Sequence, residues 1–143
     1  MSNLIAHALI KNSMDELLIL KRTLTEQGKE NYEGGKWDIP GGTVEKLEFP
    51  SSTAVRETKE ETNLDVTVER ILYEKSNMDT KKNQVFTTLI YLCSLSGTDE
   101  TIELDLEEHD AYKWVTKEEI IEMNDNDLVS YMKELMRVFY EKD

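Results

Sequence analysis

Glu57, Glu60 and Glu61 stand at i, i+3 and i+4, downstream of a glycine pair at Gly41-Gly42 and an isolated acid at Glu48. On an α-helix that spacing gathers the three carboxylates within an arc of ~100° on one face. Like charges so placed repel by roughly 0.2–0.5 kcal/mol per pair, and a divalent cation held between them removes that cost. Hard cations such as Mg²⁺ take oxygen ligands and usually keep several waters. The cluster therefore reads as half of a metal site, with water and a substrate's phosphate oxygens as the other half. Glu57, Glu60 and Glu61 are the candidate ligands, and a main-chain carbonyl at Gly41 or Gly42 is a further oxygen donor. A glutamate-rich helix taken alone is more often a solvated face. The glycine turn and the separate Glu48 favour the site.

Composition points the same way. The chain has 143 residues and a net charge of −13, with 38% hydrophobic and 33% charged residues. That suits one globular domain over residues 1–143, long enough for a real core. So acidic a protein is repelled by a nucleic-acid duplex or an anionic membrane, whereas bound cations let it take a small anionic substrate. The single cysteine, Cys93, excludes an intramolecular disulfide and sits in an apolar run that reads as core. Residues 4–10 are too short, and too interrupted by His7, for a signal peptide. No run approaches the ~18 apolar residues of a membrane span, so the cytoplasm is the expected compartment.

The elements that must position these groups follow from pattern. Residues 4–11 and 16–22 read as two strands across a break at Asn12 to Asp15. Residues 23–36 read as a loop that could reach over a pocket, and Trp37-Asp38-Ile39 as a short strand stopped by Pro40-Gly41-Gly42. Pro50 suits the first turn of a helix running to about Thr62, with Asn63 in the left-handed position at its end. Strands are expected over 64–73 and 84–95, with a turn at 78–83 carrying Lys81-Lys82, and a short strand over 113–115. Thr116-x-x-Glu119 is a capping box opening a helix, and residues 127–140 have helical periodicity. The order predicts an α+β fold with helices on the faces of a sheet.

The segment from Gly42 to Leu64 resembles the Nudix box, G-x5-E-x7-R-E-U-x-E-E-x-G-U with U aliphatic: Gly42, Glu48, Arg56, Glu57, Glu60, Glu61 and Leu64 match it. Thr58 replaces an aliphatic residue, Asn63 replaces the last glycine, and Leu47 stands where many members have glycine. Neither Thr58 nor Asn63 touches the carboxylates. Trp37 to Gly42 resembles the family's approach to the box, and Glu108-His109-x-x-Tyr112-x-Trp114-Val115 resembles a segment seen in many members. The resemblance implies an α/β/α sandwich around a mixed β-sheet, with the box as a loop–helix–loop unit. It also implies Mg²⁺-dependent hydrolysis, with Mn²⁺ an occasional replacement, of a nucleoside diphosphate linked to another group.

Roles can be assigned to residues on that basis. Arg56, among so many carboxylates, is expected to orient Glu48 or a neighbouring glutamate. Hydrolysis needs charge neutralisation, an activated water and in-line geometry. The base is Glu57, Glu60 or Glu108, with Glu107 and His109 as weaker substitutes. Arg22, Lys36 and Gly42 are the candidate substrate contacts, the first two as cations beside the pocket. Tyr32, Trp37 and Trp114 could stack on a base, although tryptophans in short strands are more often core. The partner is a small nucleotide, and the protein a monomer or homodimer. The alternative is a non-catalytic nucleotide-sensing domain of the same fold, or an acidic interaction module with no use for Mg²⁺.

Overall fold

In the computed structural model, residues 3–141 are described. β1 (Leu4–Lys11) and β2 (Leu17–Arg22) form the expected hairpin, paired antiparallel where Lys11 meets Leu17. Asn12 closes the turn, its Oδ1 accepting from the backbone N–H groups of Met14 (3.0 Å) and Glu16 (2.9 Å). Both strands are apolar on both faces because both faces are covered. Ala6, Ala8, Ile10, Leu18 and Leu20 enter one core, and Leu9, Leu17 and Ile19 enter another.

Between β2 and the glycine pair lie β3 (Thr25–Glu26), β4 (Lys29–Glu30) and β5 (Trp37–Asp38). The expected loop over 23–36 thus contains a two-stranded hairpin. Its turn residues Gln27 and Gly28 both have positive φ, 53° and 78°, as a tight two-residue hairpin turn requires. β6 (Gly41–Thr43) follows, then α1 (Pro50–Thr62), β7 (Val66–Asp79) and β8 (Gln84–Leu95). β7 runs beyond the expected end at 73. Its polar second half is held by pairing with β8 and by a 2.9 Å hydroxyl contact between Ser76 and Thr87. β9 (His109–Val115) is likewise longer than expected. The capping box at Thr116 and Glu119 opens α2 (Lys117–Glu122). The last helix, α3 (Met132–Glu141), begins later than its periodicity suggests, after a 3₁₀ turn over Asp125–Asp127. Leu128 leaves the helical path to bridge Trp37.

The seven-stranded sheet is mixed. Its main order is β5-β2-β1-β8-β7, with β6 added to β1 and β9 to β2. β1 and β8 run parallel, from Leu4 opposite Thr87 to Lys11 opposite Ser94. α1 covers one face through Ala54, against Ala6, Ala8, Leu64 and Val66. α2 and α3 cover the other through Ile120, Leu135, Met136 and Phe139. The result is the expected α/β/α sandwich. Cys93 is fully buried, and burial pushes its thiol up to about 12, so it packs as a small hydrophobe.

α1 is built for its place. Pro50 occupies its first turn, and Asn63 ends it at φ 68° with its N–H on the Lys59 carbonyl (2.9 Å). Thr58 and Thr62 are buried, and their hydroxyls donate to the Ala54 and Thr58 carbonyls at 2.7 Å each. Thr58 can therefore stand in for an aliphatic residue without stranding a polar atom.

Candidate active site

Arg56 organises the solvent-facing side of α1. Its Nε donates to Glu48 Oε2 (2.7 Å) and its Nη2 to Glu48 Oε1 (3.0 Å), a two-pronged grip. Thr53 Oγ1 donates to the same carboxylate at 2.6 Å. Those bonds, Arg56 first and Thr53 second, hold Glu48 down to about 2. Arg56 Nη1 also donates to Glu57 (3.1 Å) and Glu60 (3.2 Å). One guanidinium thus touches three of the four motif carboxylates, and it is raised further above its ordinary value, chiefly by the bond to Glu48. Just before Glu48 the chain turns at Leu47, which has φ 67° and a side chain 96% exposed.

The glycine pair is required by contact rather than by backbone angle. A Cβ on Gly42 would lie 2.5 Å from the Glu57 carboxyl carbon, and one on Gly41 would lie 2.4 Å from the His7 ring. Glu57 therefore presses directly against β6. His7 is held on the other side by a 2.9 Å hydrogen bond between its Nδ1 and the Ile39 carbonyl, as a satisfied strand histidine should be.

Glu61 faces inward, unlike its neighbour. Glu60 is 55% exposed, whereas Glu61 is 1% exposed, and its Oε2 has no hydrogen-bond partner among the described residues. Glu61 lines a cleft of about 40 Å³ together with Arg22, Gly41, Glu108 and His109. The acidic loop reaches it because Asp105 N–H donates to the Glu61 carbonyl (3.3 Å), while Thr23 N–H donates to the Glu108 carbonyl (3.0 Å). Burial pushes Glu61 far above the usual carboxylate range, reinforced by the Glu57 carboxylate and the charge on Glu108. Burial also lifts Glu108 to about 7, with the charge of Glu26 next. His109 goes the other way, pushed down to about 4 by burial, and its Nδ1 lies 3.6 Å from Glu61 Oε1 without a hydrogen-bond partner among the described residues.

Arg22, Gly41, Glu61 and Glu108 thus meet in one cleft, whereas Glu57 and Gly42 pack against each other and neither lines it. Glu60 and Lys36 do not line it. Of the aromatic candidates, Trp37 and Trp114 are half-buried against the two cores, and Tyr32 is 78% exposed. Sequence reasoning passed over Asp38, which lines the cleft and pairs with Arg22 at 3.1 Å, and Tyr131, whose hydroxyl donates to Asp38. The only signal for Asp38 was an acid placed where a buried strand was expected.

The donor set suits a hard cation. Among the described residues no three His, Cys, Asp or Glu side chains converge into a ready-made cage. Mg²⁺ does not need one, since it is commonly held by one or two carboxylates, waters and substrate phosphates. A buried carboxyl with an unpartnered oxygen beside two further carboxylates is the matching partial shell.

Several known proteins resemble this chain in sequence or fold. The NUDIX domain family model matches residues 1–139. A MutT-like protein of Streptomyces ambofaciens is 30% identical over 90 residues, covering 63% of this chain and 54% of that protein. Nudix hydrolase 5 of Arabidopsis thaliana is 28% identical over 115 residues, covering 80% of this chain and 36% of that protein. The matched region is thus about half or less of these relatives' length. Among solved structures, a MutT protein from Methanosarcina mazei Go1 superposes with a TM-score of 0.77 at 26% identity, covering 98% of this chain and 94% of that one. A C. elegans Ap4A hydrolase binary complex shares the fold, with a TM-score of 0.72 at 24% identity and coverage of 97% and 96%.

Proposed function

The chain belongs to the Nudix family, and on that premise we propose that it hydrolyses a pyrophosphate bond in a nucleoside diphosphate linked to another group. That group makes the substrate a nucleoside triphosphate, a nucleotide sugar or a dinucleoside polyphosphate. The observation that carries the reading is the buried Glu61 carboxyl, its Oε2 unpartnered, in a cleft shared with Glu108 and Arg22. Burying carboxylates together is costly, and a cation bridging to an anionic substrate turns that cost into affinity.

Glu57 and Glu61, with the Gly41 carbonyl, would hold Mg²⁺, or Mn²⁺ in its place, and Glu60 would contribute from the outer side of Arg56. The ion would neutralise charge on the diphosphate and polarise its phosphoryl oxygens. Arg22 binds a substrate phosphate, and the main chain at Gly42, kept free of a side chain, leaves room for Glu57 beside it. Lys36 is a cation outside the cleft that steers the substrate. Arg56 fixes Glu48 and Glu57 and so sets where the carboxylates stand. Glu108 is the general base. Held near 7, it accepts a proton from the attacking water close to neutral pH, where a base works best. Glu57 is the next candidate for that step. We read the protein as cytoplasmic, and as a monomer or homodimer.

The test is a panel of nucleoside triphosphates, nucleotide sugars and dinucleoside polyphosphates, incubated with Mg²⁺ and followed by phosphate or pyrophosphate release. Hydrolysis in ¹⁸O-water locates the attacked phosphorus. Glu57→Gln and Glu61→Gln should abolish turnover while leaving the fold intact. Nucleotide binding without turnover across the panel would favour the sensing alternative.

A further inference from the structure

We propose that Tyr131 is a positioning residue for substrate binding: through Asp38, its hydroxyl holds Arg22 in the orientation that receives a phosphate. The inference rests on the functional reading above, because it takes Arg22 as the phosphate contact.

Arg22 is tied on three sides. Its Nε donates to the Tyr32 carbonyl (2.8 Å), Nη2 to Asn31 Oδ1 (3.0 Å) and Nη1 to Asp38 Oδ2 (3.1 Å). A guanidinium has five N–H donors, so this grip leaves a pair for an anion and fixes their direction. Of the three ties, only Asp38 carries charge. It is 3% exposed, and its other oxygen accepts from the Ile39 N–H (2.7 Å) and from the Tyr131 hydroxyl. A buried carboxylate held by three hydrogen bonds is kept from rotating away from the arginine.

Tyr131 comes from the opposite layer of the sandwich, at the head of α3, and it is the last of four consecutive residues that strap residues 33–38. Leu128 bridges Trp37, and the Val129 N–H donates to the Trp37 carbonyl (3.0 Å). Ser130 binds the Glu33 carboxylate through its N–H (3.0 Å) and its hydroxyl (3.1 Å). The Tyr131 hydroxyl reaches Asp38 and also lies 3.4 Å from His7 Nδ1. Of the three groups that grip Arg22, the strap touches Asp38 directly, and it also holds Glu33 and Trp37 nearby in the chain. Packing alone does not call for this hydroxyl, since a phenyl ring would fill the same space. The hydroxyl is needed only where a buried acid must be fixed.

The experiment measures binding of inorganic pyrophosphate in the presence of Mg²⁺, by calorimetry, to the wild-type protein, Tyr131→Phe, Arg22→Ala and the double variant. Tyr131→Phe should weaken binding about tenfold, equivalent to about 1.4 kcal/mol. Arg22→Ala should weaken it at least as much, and the double variant should bind no more weakly than Arg22→Ala. In a ¹H–¹⁵N spectrum the Arg22 Nε–H signal should be sharp in the wild type and broadened in Tyr131→Phe. If Tyr131→Phe proves unfolded, Asp38→Asn replaces it with the same expectations. Losses that add in the double variant, or a Tyr131→Phe protein that binds like the wild type, would overturn the inference and leave the function standing. A wild-type protein that neither binds pyrophosphate nor hydrolyses any nucleotide overturns the functional reading, and this inference with it.

Discussion

Replacing Glu61 by glutamine should remove a pH-dependent loss of stability from the metal-free protein. The folded pKa of Glu61 lies far above the 4.5 of an unperturbed glutamate. Between those values the folded chain holds a proton that the unfolded chain has released. The difference in bound protons, unfolded minus folded, is then minus one, so stability falls as pH rises. The slope for one proton is about 1.4 kcal/mol per pH unit. Other groups confine the useful window. His109, held at about 4, adds stability as pH rises toward its ordinary 6.5, and that gain is then complete. Glu108, raised to about 7, loses its contribution between 4.5 and 7. Cys93 enters only above its ordinary 9. The unit between about pH 7.5 and 8.5 therefore belongs to Glu61. Across it the wild type should lose about 1.4 kcal/mol more than Glu61→Gln, a visible fraction of a typical 5–15 kcal/mol total. Urea unfolding in EDTA at the two pH values, followed by tryptophan fluorescence, supplies the measurement. Self-repulsion from the net charge of −13 tilts both curves alike and cancels in the difference. Saturating Mg²⁺ should abolish the wild-type excess, because binding a cation releases that proton. Parallel curves for the two proteins in EDTA would refute the argument that burial keeps Glu61 protonated.

Three further outcomes are expected. Wild-type turnover should rise with pH through about 7 as Glu108 ionises, and Glu108→Gln should lose that limb along with ~10²–10⁴-fold in kcat; a variant with unchanged turnover means another base operates. Leu47→Gly should stabilise by up to about 1 kcal/mol in urea denaturation, since φ 67° costs a branched residue ~1–2 kcal/mol and glycine's extra freedom returns only part of that; an unchanged or lower midpoint counts against it. Gly42→Ala, whose methyl would meet the Glu57 carboxyl at 2.5 Å, should lower kcat by ~10²-fold through displacement of Glu57, and a crystal structure of the variant should show that carboxylate moved.

The sequence made local features legible and left distant ones hidden. The ends of α1 could be read because Pro50 and Asn63 act within a turn of themselves, and the capping box at Thr116 is equally local. The pairing of Arg56 with Glu48 was also within reach, as both lie in one motif. Helical spacing put Glu57, Glu60 and Glu61 on one face, yet it could not tell that Glu61 turns under the acidic loop while Glu60 stays outside. That division depends on Asp105 docking on the end of α1. The β3–β4 hairpin escaped notice because Gln27-Gly28 lacks the usual asparagine or aspartate and its strands are polar. Asp38 and Tyr131 stand 93 positions apart, so no periodicity links them. Their partnership exists only because α3 packs across the sheet from β5.

The parallel pairing of β1 with β8 has a bearing on how this chain reaches its native state. β1 is apolar on both faces, and its long partner lies about 80 residues further along, a separation that slows folding. Until β8 arrives, one edge of β1 carries unpaired peptide groups beside exposed leucine and isoleucine, the kind of surface that recruits other chains. Refolding yield should therefore fall steeply with protein concentration, and a chaperone that shields this strand would act before α1 can close over it.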